Sequence, residues 1–339
     1  SLQLNGGGRG TLTAQVPAPA DAPERATESV QPRADGGLDA LPRHQPVVDA
    51  LKQALDQYVV KRGPHLSVIA GYPWFLDWGR DTLLAARGMI AAGRHDAAHA
   101  IVRQFATFER DGTIPNMIHG TDTGNRDTSD APLWLLRVCD ELGAIMGQKA
   151  LLATDCGGRS LREVLFSIAS SLTEGTPNGI AMDASTGLLF SPSHFTWMDT
   201  NHPAGTPRQG YPIEIQALWA AALDYLGRVD GPQRRGRWRE LAGQARRSIT
   251  DLFFDDRRTF LSDCLHAAPG TPASQATADD ALRPNQLFAL TLGALTDRRT
   301  AAQILMACQE LLVPGAIRSL ADRPVDHEED IGRGCAAMD

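Results

Sequence analysis

The sequence predicts an all-α domain, and three observations lead there. Apolar residues recur at helical spacing through roughly nine segments. The long loops between those segments hold most of the polar and aromatic residues, and strand-like runs are few. No fixed-period repeat is visible, so a regular helical solenoid is disfavoured. With 339 residues, 42% of them hydrophobic, the chain can bury one large core.

Taken in order, residues 1–43 are rich in Gly, Pro and Ala and almost without large apolar side chains, so they cannot offset their own ordering entropy. They read as a disordered linker or tail from an upstream domain, with one domain over residues 44–339. Order is expected from Pro46, where Val48, Leu51, Leu55, Tyr58 and Val59 mark a helix that Gly63 and Pro64 stop. The apolar run LSVIAGY leads into PWFLDWGRDTLLAARGMIAAG, a helix entered through Trp74, Trp78, Arg80 and Asp81. His95–Phe108 forms the next helix, and another carries Trp134, Leu135, Val138 and Leu142. Ser160 with Glu163 makes a capping-box pattern opening LREVLFSIASSL. GIAMDASTGLLFS reads as two short strands about a turn, a small β insertion near 180–190. Helices then follow over Ile215–Leu226, through Trp238, Leu241, Ile249 and Phe253, through Leu287, Leu290 and Leu292, and through Ile304, Leu305, Leu311 and Leu312.

A formal net charge of −7 argues against nucleic acid or an anionic membrane as partner. The five cysteines are scattered without a C-x-x-C pair, which suits a reducing compartment and argues against a zinc site. No apolar run reaches spanning length and no secretory pattern opens the chain, so the expectation is a cytoplasmic location and no membrane partner. No cofactor is expected.

Chemistry concentrates in FTWMDTNHPAGTPRQGYPIEIQAL, where Trp197, Asp199, Arg208, Tyr211 and Glu214 stand among turn formers. An aromatic face suits the C–H surface of a pyranose, and a neighbouring carboxylate can accept from hydroxyls or protonate a glycosidic oxygen. On an extended segment Trp197 and Asp199 point the same way. The competing structural reading makes Trp197 a core aromatic and Asp199 a turn or cap. Arg80 beside Asp81 supplies a donor and an acceptor for adjacent sugar hydroxyls, against a plain helix-dipole role for Asp81. The loop DGTIPNMIHGTDTGNRDTSD offers Asn116, His119 and Asp130, although Ser129 and Asp130 equally suit a helix cap. His327, Glu328, Glu329 and Asp330 read as a solvated tail rather than a metal site, and Asp127 with Asp130 makes a poor Mg²⁺ pair beside Arg126.

PWFLDWGRDTLLAARGMIAAGR, GTIPNMIHG, SDAPLWLL, FTWMDTNHPAGTPRQGYPIEIQALWAAAL, LRPNQLFAL and PGAIRSLADRPV occur in that order. Together they resemble the C-terminal glucosidase region of glycogen debranching enzymes, the amylo-α-1,6-glucosidase family, over about residues 46–325. The resemblance implies an (α/α)6 toroid and hydrolysis of α-1,6-linked glucose at glycogen or α-glucan branch points, with inversion. It makes Asp199 the general acid. Arg80 and Asp81 grip the terminal glucose, as in the similar segment of glucoamylases. Asp130 with Trp134 forms a second sugar-facing loop, while Arg208 and Glu214 bind substrate in the site wall. Trp78, Asn116 and Trp197 complete the expected substrate contacts.

Inversion requires a second carboxylate roughly 6.5–9.5 Å across the attacking water. The family's source for it, a segment of the kind Y-H-x-G-T-x-W, does not occur, and family-like text stops near Pro324 and Val325. The expectation is therefore a toroid lacking its last helices. The alternative function is a non-hydrolytic α-glucan-binding fragment without the catalytic base.

Overall fold

The computed structural model describes residues 45–62, 65–72, 75–200, 206–231 and 235–323. The chain divides into residues 1–48, of which only the start of a helix is described, and a body of residues 49–339. The expectations for residues 1–43, for Trp74 and for His327–Asp330 lie outside the described residues.

The first helix, α1, is Gln45–Tyr58. Val59 does not extend it, because Val59 and Val60 are β-branched and start a strand, Val59–Arg62, paired antiparallel with His65–Val68. Arg62 at the strand end donates from Nε and Nη2 to the buried carboxylate of Asp77, at 2.6 and 2.8 Å. That anchor fixes the two-residue strand Asp77–Trp78, which pairs with Met117–Ile118 in the register Asp77↔Ile118. It aims α2, Gly79–Ala91. Only glycine fits at 79: its N–H donates to the Asn116 carbonyl at 2.8 Å, and a Cβ there would lie 2.4 Å from the Pro115 carbonyl oxygen.

The remaining helices are α3 (His95–Thr107), α4 (Ala131–Met146), α5 (Gln148–Leu152), α6 (Leu161–Glu174), α7 (Ile213–Val229), α8 (Arg235–Phe253), α9 (Leu287–Thr291) and α10 (Arg298–Cys308). The capping box at α6 forms as its sequence predicts, with Ser160 and Glu163 exchanging bonds. Helix α2 packs on α3 and α4, α4 on α7, and α7 on both α8 and α9. Helix α3 also packs on α4 and α6, and α10 on α9. Helix α7 is buried almost all round, from Ile213 to Gly227, as its apolar sequence on every face requires. Trp219, Tyr225, Phe105, Leu83, Met89 and Leu133 fill the space between the helices.

The body is largely helical, but three details depart from the all-α expectation. Short antiparallel strand pairs stand between several of the described helices, and one sheet has three strands, Thr277–Ala278, Cys264–His266 and Gly210–Pro212. The expected pair near 180–190 is present as Ala181–Asp183 with Leu188–Phe190. The apolar run after Leu287 gives only the short α9, because the run itself ends in the turn at Gly293. Leu311 and Leu312 leave helix geometry, in a 3-10 turn and then a strand paired with Ala316–Ile317. Among the described residues no helix is long and apolar enough to cross a membrane.

Candidate active site

Four central helices begin on one cavity of about 410 Å³. Helix α2 brings Arg80, Asp81 and Leu84; the start of α4 brings Asp130 and Trp134; α7 brings Glu214 and Leu218. A 3-10 turn, Pro284–Gln286, and α9 add Pro284, Asn285 and Phe288, and Trp197 covers the cavity from its loop. Helix N-termini carry partial positive charge, so carboxylates gathered here are electrostatically welcome.

Arg80 is the centre of the cluster. Its Nε donates to Asp130 Oδ2, and its Nη1 lies 3.6 Å from Asp199 Oδ2. Its Nη2 is buried without a hydrogen-bond partner. Asp130 stands at the N-cap position of α4 yet makes no side-chain cap bond. Its carboxylate is held instead by Arg80 and by the Thr128 hydroxyl, which donates at 2.7 Å. Asp81, in the first turn of α2, is raised above the ordinary carboxylate range by loss of water. Arg80 opposes that rise, while Asp130 and Asp199 add to it.

Glu214 faces the same cavity from a second network. Arg208, wholly buried, forks onto it through Nη1 and Nη2 at 2.5 and 2.7 Å. Its remaining donors reach Asp263 Oδ2 at 2.7 Å, Thr196 Oγ1 at 3.1 Å and the Asp263 carbonyl at 3.2 Å. All five guanidinium N–H groups are thus spent on protein, and Arg208 lines neither cavity of the site. Its expected role as a substrate contact gives way to that of a brace for Glu214. The brace holds Arg208 in the left-handed region, φ 45°, a conformation that persists only where surroundings over-determine it. Burial pushes the Glu214 carboxyl up, against the pull of Arg208. The network continues outward: Asn285 Nδ2 donates to Asp263 Oδ1 at 2.8 Å, and Asn285 Oδ1 accepts from Trp197 Nε1 at 2.9 Å. The exposed indole of Trp197 is therefore oriented from the core.

A second cavity, of about 400 Å³, holds Trp78, Asn116 and Asp199 together with Asn125, Asp127 and His194. Trp197 and Asp199 do not point the same way as an extended segment requires, since they line different cavities. Thr196 Oγ1 accepts from the Met198 N–H at 3.2 Å, and this local bond bends the chain between them. Tyr211 is structural: it stacks edge-on to Phe190 and donates its hydroxyl to the Thr271 carbonyl at 2.8 Å. Neither Asp263 nor Asn285 stands out as a site residue in the sequence. Asn285 lies in the motif LRPNQLFAL, whose Pro284 marks the turn that presents it. For Asp263 the only signal is indirect, the second anion that a buried Arg208 demands.

A family model described as amylo-α-1,6-glucosidase matches residues 53–330. The chain belongs to this family. A glycogen debranching enzyme of Saccharomyces cerevisiae is 27% identical over 47% of this chain, and the match spans 14% of that longer protein. Among solved structures, a rhamnosidase from Klebsiella oxytoca with rhamnose bound matches with a TM-score of 0.55 at 15% identity, over 78% of this chain and 48% of its own. A wild-type glycosidase matches with a TM-score of 0.57 at 12% identity, over 82% of this chain and 72% of that one. At such identities the structural likeness speaks for the fold, and the family match carries the identity.

Proposed function

We infer that this chain carries the glucose-binding cavity and the general acid of a glycoside hydrolase that removes α-1,6-linked glucose from branched α-glucans. The observation that carries the reading is the Arg80 cluster: one guanidinium holds Asp130, approaches Asp199 and keeps a buried N–H group unpaired at a cavity walled by Trp134 and Trp197. In this reading the terminal glucose stacks on the exposed indole, and Arg80, Asp81 and Asp130 bind its hydroxyls. The helices described between residues 49 and 323 fit part of an (α/α)6 toroid, short of its last helices.

Asp199 sits where the two cavities approach through Arg80, the place for a glycosidic oxygen. Its carboxyl proton passes to that oxygen as the bond to the anomeric carbon breaks, while water bonds to that carbon from the opposite face and gives up its proton to a base, so the product hydroxyl is inverted. Inversion would have that water held by a second carboxylate roughly 6.5–9.5 Å from the first. Loss of the acid removes a contribution of about 10²- to 10⁴-fold. Glucose release from a branched limit dextrin tests the reading: Asp199→Asn should abolish release with glucose binding retained, and undiminished release would remove Asp199 from the mechanism.

A second reading, an α-glucan-binding chain without hydrolysis, draws support from one observation. Asp130 and Glu214 are each engaged by an arginine, which leaves neither at liberty to activate water. Tight dextrin binding with no glucose released would select it.

A further inference from the structure

A third cavity, of about 560 Å³, lies away from the glucose site and shares no lining residue with the other two. Helix α7 begins at the first cavity with Glu214 and ends at this one with Arg228 and Val229, roughly 21 Å further along its axis. Helix α5 brings Gln148, Lys149 and Leu152, and the first turn of α6 brings Arg162. The volume falls in the range of about 300–1,000 Å³ usual for small-molecule sites.

The lining carries three cations, Lys149, Arg162 and Arg228, and no carboxylate. The carboxylates that pair with the two arginines stand outside the lining and are shared with other donors. Asp230, its side chain 4% exposed, accepts from Arg162 Nη2, Trp238 Nε1 and the Gly231 N–H, each at 2.8 Å. Asp140 takes Arg228 Nη2 at 2.7 Å and has Arg137 Nη1 at 3.5 Å. Lys149 is in no ion pair among the described residues. Both guanidinium groups are held before any ligand arrives: Arg162 lies over the Phe166 ring at 4.6 Å, and Arg228 over that of Tyr225 at 5.9 Å. Arg228 spends only Nη2 on the described protein, so its Nε and Nη1 donors remain. An excess of fixed positive charge in a concave wall draws an anion.

The rest of the wall says what that anion is attached to. Leu152, Ala153 and Val229 present apolar surface that a bare ion leaves unused. Sugar hydroxyls need acceptors, and those in the lining are taken: the Gln148 amide oxygen accepts from the Tyr225 hydroxyl at 3.0 Å, and the Ser160 hydroxyl is spent on Glu163 in the helix cap. We propose that this cavity binds a nucleoside monophosphate, with its phosphate on Lys149 and Arg228 and its flat base against Leu152, Ala153 and Val229. Guanidinium N–H groups match phosphate oxygens in geometry, and the lysine adds a mobile point charge. The site is separate from the sugar cavities, so nucleotide and glucose bind together.

The test is calorimetric titration of the full chain with adenosine monophosphate, adenosine, ribose 5-phosphate and inorganic phosphate. The nucleotide should bind at one site per chain, at least about tenfold tighter than any of the other three, because it alone engages both parts of the wall. Lys149→Gln and Arg228→Gln should each weaken it by about tenfold or more, the scale of one charged hydrogen bond. Ala153→Glu, at an exposed position, should abolish binding by placing an anion in the cavity. Arg257→Gln removes the same charge from a side chain 91% exposed outside the lining and should change nothing. Should Arg228→Gln fail to fold, the exposed positions Lys149 and Ala153 carry the comparison. Absence of nucleotide binding overturns the proposal, as does binding of adenosine, ribose 5-phosphate or phosphate as tight as that of the nucleotide. A loss in Arg257→Gln as large as in Lys149→Gln overturns it too, since the attraction would then be general charge. Glucose binding, unchanged in every variant, keeps these outcomes distinct from the fate of the glucosidase reading.

Discussion

Arg80 lines the first cavity while Arg208 is buried behind its Glu214 wall, and the two do opposite things. Both are buried cations beside two carboxylates, Asp130 and Asp199 for the first, Glu214 and Asp263 for the second. Arg208 spends every N–H on the protein, with two carboxylates bonded at 2.5–2.7 Å. Arg80 bonds Asp130, keeps Asp199 at 3.6 Å and leaves Nη2 unpaired. A guanidinium with saturated donors is architecture, because nothing can join it without displacing a bond already made. One with a buried donor left over holds interaction free energy in reserve for a ligand.

The comparison breaks most visibly at Arg208. Arg208→Met leaves Glu214 and Asp263 buried without their cation, and the protein should lose about 3–5 kcal/mol of stability in a denaturant titration. Arg208→Lys should recover little, since one ammonium cannot reproduce the fork. A next, smaller effect is expected at Arg80: Arg80→Met should weaken glucose binding by about 10- to 100-fold, the scale of a charged hydrogen bond or two. Its midpoint of unfolding should move much less than that of Arg208→Met, and equal destabilisation of the two would erase the distinction drawn between them.

Asn285 links the two regions through Trp197. Asn285→Ala should cost about 1 kcal/mol in stability and release the indole, seen as a changed tryptophan emission and a weakened glucose response. An unaltered emission would show that the Trp197 loop holds itself. The smallest effect concerns pH. Asp81 has its carboxyl raised above 3.8, so folding is favoured while the group is protonated, and that contribution is lost as pH rises through the raised value. Asp81→Asn should flatten this part of the stability profile and make the variant relatively more stable at neutral pH.

The entry of α6 was legible in the sequence because a capping box, Ser160 with Glu163, marks it. Arg80, Asp81, Asp130, Trp134, Trp197 and Glu214 do share one cavity, because each belongs to the opening of a helix or to the loop above it. What escaped depends on distance along the chain. Asp263 lies 55 residues from Arg208, in a short strand region without aromatic or glycine markers, and only folding brings the two together. Arg208 braces Glu214 rather than reaching a substrate for the same reason, since sequence displays its charge but not its partners. Trp197 and Asp199 parted because a Thr196 hydroxyl competes for the backbone, a local bond that strand alternation does not anticipate.

The measurement that bears most directly on this account is glucose release from a branched limit dextrin by the full chain and by Asp199→Asn, with glucose binding followed in both. The account predicts release by the first, none by the second, and closely similar binding by the two. Release that persists undiminished in Asp199→Asn would contradict it, and the acid would have to be sought elsewhere on the cavity wall.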